Sequence, residues 1–269
     1  MSYIPEPDGD LSAWDDIPAG YRFPDFQVTV DRGRQAAYHR ATDVDSDRFG
    51  DRADVSIFAQ DTSIAAGRAG LPKDGRIHTR HRIRQTAPIA IGDKLTLQGR
   101  VEPFGQSPRG RVLHCAFDFV AADASVPLTM HADYLLPAAN VDRKPTPRPI
   151  AVEDPRAGFT TVGACQLTPD KVTAYSREVG NRIHFDPSFA AEHGFRAPLA
   201  QGLMQVTAVM GAIAEAGVPS ALDLELQFRR PLFWDDRFQV LADPERRLFR
   251  CIGPSDKPSG EAVLRHIDR

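Results

Sequence analysis

The sequence predicts an α+β fold made of two tandem copies of one unit, each an antiparallel sheet wrapped around a single long apolar helix. Three observations predict it. Short segments recur in the same order in both halves, each half carries one apolar helical segment, and several alternating strand segments follow each of those helices.

The repeat has three anchors. Ala37-Tyr38-His39-Arg40 answers Ala174-Tyr175-Ser176-Arg177, each inside a short helix-like stretch. Ala69-Gly70-Leu71-Pro72 answers Ala216-Gly217-Val218-Pro219, in the glycine-then-proline order that stops a helix. Pro88 followed five residues later by Asp93 answers Pro231 followed five later by Asp236, each entering an alternating strand. Any one match is short enough for chance, but three in a constant order argue duplication.

The apolar helix of the second half is QGLMQVTAVMGAIAEAG (201–217). Leu203, Val206, Met210 and Ile213 recur there at helical spacing, and the other side is mostly Ala, Thr and Gly, so the helix should be covered nearly all round. Strands are expected in ALDLELQFRR, DRFQVLAD, RLFRCIG and GEAVLRHI. In the first half they fall in RIHTRHRIRQTAP, DKLTLQGRVEPFG, RGRVLHCAFDFVAA and VPLTMHADYLLP. A sheet whose concave face holds one helix is the hot-dog fold, and two copies make a double hot dog. The expected organisation is an N-terminal unit over 20–138, a proline-rich linker over 139–155 and a C-terminal unit over 156–269, with the two sheets joined because a lone unit leaves an exposed edge.

Composition narrows the partners. A formal net charge of −3 gives no electrostatic reason to expect nucleic acid, and RIHTRHRIR (76–84) reads as a solvated strand face. Cys115, Cys165 and Cys251 are odd in number and lack CxxC spacing, so three reduced thiols are expected and no metal site. The acidic N-terminus has no signal-peptide pattern and no run of about 18 apolar residues occurs, so a cytoplasmic protein without a membrane span is expected. One chain already holds a dimer-like pair of units, which leaves a homodimer optional.

The halves differ where chemistry is expected. Tyr38 to Pro72 is 34 residues and Tyr175 to Pro219 is 44, so the second unit carries about ten more, within NRIHFDPSFAAEHGFRAPLAQG. The stretch YSREVGNRIHFDPSFAAEHGFRAPLAQGLM resembles the MaoC-like dehydratase and (R)-specific enoyl-CoA hydratase family. That family's motif runs Gly-Asp-x-Asn-Pro-Ile-His, Asp-Pro-x-x-Ala and Gly-Phe-x-x-Pro-Ile-Ala-His-Gly. The resemblance implies a lyase acting on the C2–C3 bond of an acyl-CoA thioester, with no metal or redox cofactor and coenzyme A entering only as part of the substrate. By position His184 takes the place of the catalytic histidine, and Gly202 that of the glycine whose N–H meets the thioester carbonyl.

The chemistry agrees with those types. Attack of water on C3 needs a base of near-neutral pKa, and the enolate needs a preorganised donor such as a glycine N–H at a helix start. The family's aspartate is missing: Val179 stands five residues before His184, and a two-residue gap would put Asn181 in its place. Asn181 can orient water or polarise a carbonyl but cannot deliver a proton as a carboxylic acid does. Glu178 is the nearest carboxylate, and Asp43, Asp45 and Asp47 of the first unit read as caps or solvent-facing groups. Substrate-binding candidates are Arg182, as a cation for an anionic substrate group, Gln201 in the family's Ala-His-Gly position, and Tyr175. Two rivals share the fold: a non-catalytic thioester-binding or assembly subunit, and a hot-dog acyl-CoA thioesterase.

Overall fold

A computed structural model describes residues 17–71, 76–137 and 154–269. Pro72 of the second anchor and most of the expected linker lie outside the described residues.

The first half runs β1 (Phe26–Val28), α1 (Arg32–Thr42), α2 (Phe58–Arg68), β2 (Ile77–Gln85), β3 (Leu95–Val101), β4 (Gly105–Ser107), β5 (Gly110–Val120) and β6 (Leu128–Pro137). The second runs β7 (Thr160–Gln166), α3 (Pro169–Ser176), α4 (Pro187–Glu192), α5 (Leu203–Ala214), β8 (Ala221–Phe228), β9 (Arg237–Ala242), β10 (Leu248–Ile252) and β11 (Pro258–Asp268). All the strands form one antiparallel sheet in the order β1-β3-β5-β6-β2-β8-β11-β10-β9-β7, with β4 paired to β5. Outward from the β2–β8 joint, each half presents the strand after its buried helix, then its last, second-last and third-last main strands, then its first. The two halves therefore share one strand order about the joint.

The anchors are structurally equivalent. Asp93 accepts the Ala90 N–H at 2.8 Å and Asp236 accepts the Phe233 N–H at 2.8 Å, so each closes the same turn before a strand. Tyr38 and Tyr175 meet edge to face with ring centroids 4.8 Å apart, which places the repeated helices α1 and α3 against each other. The edge strands β1 and β7 were not expected from the sequence. β1 has only three residues, and Gly163 interrupts the pattern of β7 at a register shift.

Every residue of α5 is buried, including Leu203, Val206, Met210 and Ile213, as the absence of a polar face predicts. Each such aliphatic side chain contributes about 1.5–3 kcal/mol by leaving water. The arginines of β2 run along the outer face as pairs: Arg80 with Asp133 and Glu225, and Arg82 with both carboxylate oxygens of Asp223. Asp223 and Glu225 lie on β8, so these pairs stitch the two units across the joint. The inner side of the same strand carries His81, Ile83 and Gln85, all buried. The solvated-face reading of 76–84 thus holds for Arg80, Arg82 and Arg84 and misses Arg76, stacked on Tyr134, and the buried His81. Cys115, Cys165 and Cys251 are buried free thiols.

Candidate functional site

The insertion that distinguishes the second unit folds into a 3-10 turn over Arg182–His184 followed by α4. Asn181 caps the turn, its side-chain oxygen accepting the Ile183 N–H at 3.3 Å, and Asp186 caps α4 by accepting the Phe189 N–H at 3.1 Å. The extended segment Pro198–Ala200 then lies between this turn and the loop after β8. The Leu199 N–H donates to the Ile183 carbonyl at 3.0 Å, the Ala200 N–H to Leu232 at 2.8 Å and the Trp234 N–H to Pro198 at 3.0 Å.

His184 is fixed by the same segment: its Nδ1–H donates to the Leu199 carbonyl at 2.8 Å. A carbonyl can only accept, so the neutral ring carries its proton on Nδ1 and leaves the Nε2 lone pair free to take one. Burial lowers the His184 pKa to about 4, against the opposing pull of the Leu199 carbonyl. This corrects the expectation of a base with near-neutral pKa. The sign is clear: imidazolium forms only in acid, so where His184 acts as a base kcat/KM should stay flat from about pH 8 to about pH 5. A pH–rate profile breaking near the ordinary histidine value would contradict it.

Three residues past Leu199, Gly202 opens α5, where the first N–H groups have no intrahelical acceptor and the helix dipole favours negative charge. Its backbone is ordinary right-handed helix, with φ −56°, so left-handed freedom is not what glycine supplies here. Space is. A Cβ at 202 would sit 2.9 Å from Cε1 and 3.0 Å from Cδ1 of Phe228.

The other candidates separate. Gln201 is buried, and its Oε1 accepts from Gln60 Nε2 of α2 at 2.6 Å, which ties the start of α5 to the first unit. Arg182 is paired with Asp186, at 2.6 Å, and lies over the Phe189 ring, so its charge is already engaged. Tyr175 is 1% exposed and bonds Thr207 at 2.9 Å, placing its hydroxyl in the core between the units. Glu178, beside the loop, accepts from the Tyr38 hydroxyl at 2.8 Å and from Arg34 at 2.8 Å. Arg34 also holds buried Asp61 in a two-pronged pair. These contacts make Glu178 a clamp from the first unit onto the loop bearing His184 rather than a substitute acid. In the first unit, Asp45 caps a 3-10 turn by accepting the Asp47 N–H. His39 there is bonded to Asp54 and Ser46, and with His39 and Asp54 at 0% and 1% exposure that pair is sealed from substrate.

Two features escaped sequence reasoning because only the fold brings their residues together. Phe228 touches the Gly202 position on one side and packs against His78 on the other, ring centroids 4.8 Å apart. A cleft of about 210 Å³ opens beside Leu232, with Arg196, Arg230 and Lys257 among its walls. Among the described residues, no group of three or more His, Cys, Asp or Glu is gathered as a metal site, and no helix is long and apolar enough to cross a membrane.

Known proteins show the same architecture. HtdX of Mycobacterium tuberculosis superposes with a TM-score of 0.74, at 22% identity, over 90% of this chain and 98% of its own. A MaoC-like dehydratase from Phytophthora capsici does so at 0.70, with 16% identity, over 93% and 97%. This chain has the double hot-dog fold. The chain is also 26% identical over 231 residues, 80% of its length and 79% of the relative's, to 3-hydroxyacyl-thioester dehydratase X of Mycobacterium tuberculosis. No protein-family model matches it.

Proton linkage yields one stability prediction. His81 is 1% exposed, and burial lowers its pKa to about 3. The unfolded chain therefore binds a proton that the folded chain refuses between about pH 6.5 and pH 3, and stability is lost as pH falls through that window. Asp61, raised by burial to about 6 against the pull of Arg34, works in the opposite direction below pH 6. His81→Phe, which removes the first contribution alone, should flatten the fall in urea midpoint between pH 6.5 and 4. An unchanged slope would contradict it.

Proposed function

We propose that this protein is an acyl-thioester hydratase/dehydratase, adding water across or removing it from the C2–C3 bond of an acyl-CoA ester. The observation that carries the reading is the His184 Nδ1–H bond to Leu199, on the segment leading straight into Gly202. It fixes the basic nitrogen and ties the base to the helix start. The dehydratase relative and the shared fold support it.

In the hydration direction, His184 Nε2 takes a proton from water as the water oxygen bonds to C3. The C2–C3 π electrons move onto the thioester oxygen, where the Gly202 N–H stabilises the enolate. Collapse of the enolate then leaves C2 to gain a proton. With no carboxylic acid at 181, that proton returns from His184 Nε2–H, so water adds to one face and His184 works alone as acid and base. Asn181 orients the water through its amide NH2 while its oxygen caps the turn. Arg230 and Lys257, beside an Arg196 already paired with Asp235 and Asp236, provide cationic walls for the phosphates of coenzyme A.

Asn181→Asp retains a good cap and adds the acid this arrangement lacks, so kcat should rise by about tenfold or more. A fall would mean that the water-orienting NH2 of the amide counts for more than the added acid. The reaction class is tested by following 2-enoyl thioester absorbance and free thiol together with a panel of enoyl-CoA and 3-hydroxyacyl-CoA esters. Absorbance change without thiol is expected. Thiol release would establish a thioesterase, and binding without either signal a non-catalytic subunit.

A further inference from the structure

Four polar residues in succession, Gln60, Asp61, Thr62 and Ser63, are buried on α2, the buried helix of the unit without the histidine motif. A carboxylate taken out of water is costly even when it is paired, so Asp61 at 4% exposure needs a reason. The fold alone does not give one: counted back from the repeated Ala-Gly anchors, the partner of Asp61 in α5 is Ala208. Thr62 is used within the helix, its hydroxyl donating to the Ala59 carbonyl at 2.7 Å. Gln60 and Asp61 reach into the second unit instead, one directly and the other through Arg34.

They hold different sides of the candidate site. Gln60 Nε2 donates to Gln201 Oε1 at 2.6 Å, and Gln201 immediately precedes Gly202. Asp61 accepts both prongs of Arg34 at 3.0 Å, and the same guanidinium donates to Glu178 from Nη2 at 2.8 Å and from Nε at 3.2 Å. Glu178 stands just past α3, where the chain turns through Gly180, at φ +67°, into Asn181 and the 3-10 turn of His184. We infer that Gln60 and Asp61 form a crossbar: adjacent residues of one helical turn, one holding the segment of the oxyanion donor and the other, through Arg34 and Glu178, the loop of the base. The separation of adjacent residues in a helix is fixed, so α2 sets the spacing between the Gly202 N–H and His184 Nε2. Both are positioning residues, and through them the unit without the motif takes part in the chemistry. The effect on turnover rests on the hydratase reading of the site.

Two substitutions of nearly constant volume test it. Gln60→Met cuts the arm to Gly202, and Asp61→Asn weakens the arm to the base loop. By NMR of the isotope-labelled protein, Gln60→Met should move the ring-nitrogen signals of His184, and Asp61→Asn the amide signal of Gly202, each on the side that the altered residue does not hold. In turnover of a 2-enoyl-CoA each variant should lose about tenfold or more in kcat, since a misplacement of about 1 Å costs about a hundredfold, while affinity for a saturated acyl-CoA stays within about twofold. Variants that disturb only the side they hold, or that lower affinity as much as kcat, overturn the crossbar. Gln201→Met and Glu178→Gln cut the same two arms from the other end and decide the matter if a variant on α2 fails to fold. Should the unaltered protein hydrate no enoyl-CoA, the hydratase reading falls and the NMR signals alone decide: effects across the site sustain the crossbar, and their absence overturns it.

Discussion

His184→Ala is expected to lower kcat by about 10²–10⁴, the range by which a positioned acid–base group accelerates proton transfer. No other side chain near the 3-10 turn replaces it. Glu178 is engaged by Tyr38 and Arg34, and Asn181 is an amide. The fold should survive, because removal of His184 loses one hydrogen bond, to Leu199, of about 0.5–1.5 kcal/mol. Saturated acyl-CoA binding should change little, so the loss should appear in kcat. A variant that unfolds, or retains full turnover, would remove His184 from the chemistry.

Gly202→Ala is expected to cost about a hundredfold in kcat/KM for a different reason. The backbone at 202 tolerates alanine, but the added methyl meets the Phe228 ring at 2.9–3.0 Å. Either the ring or the first turn of α5 has to move, and a displacement of about 1 Å between donor and oxyanion is enough for such a loss. Adding Phe228→Leu, which removes the ring atoms in the way, should recover part of it. Should Gly202→Ala be fully active, the N–H of this residue is not the oxyanion donor.

Much of the fold was legible because the repeat reuses turn chemistry as well as apolar pattern. Asp93 and Asp236 stood five residues after a proline because each closes the same turn, and the uniform apolarity of 203–214 left α5 nowhere to go but the core. Tyr38 and Tyr175 were aligned as repeat partners and turned out to touch, which moved Tyr175 from the substrate to the interior. The edge strand β1 was missed because three residues carry no alternation, and β7 because Gly163 breaks its pattern.

Within the candidate site, His184 and Gly202 were picked out by the resemblance of their segment to a family motif, and the structure ties their segments together through Leu199. What stayed hidden was everything contributed by the first unit. Gln60 reaches Gln201 across 141 positions of sequence, Arg34 reaches Glu178 across 144, and His78 meets Phe228 only because β2 and β8 pair. Burial also reset the electrostatics. A histidine expected to titrate near neutrality is held neutral well into acid, which suits a base whose lone pair is already free.

The most direct measurement is the crystal structure of the protein with a saturated acyl-CoA, a ligand that fills the site without reacting. The thioester oxygen should accept from the Gly202 N–H at about 3 Å, with C2 and C3 facing His184 Nε2 on one side of the acyl plane. An acyl-CoA bound with its carbonyl away from α5, or with His184 Nε2 turned from C2 and C3, would contradict the account.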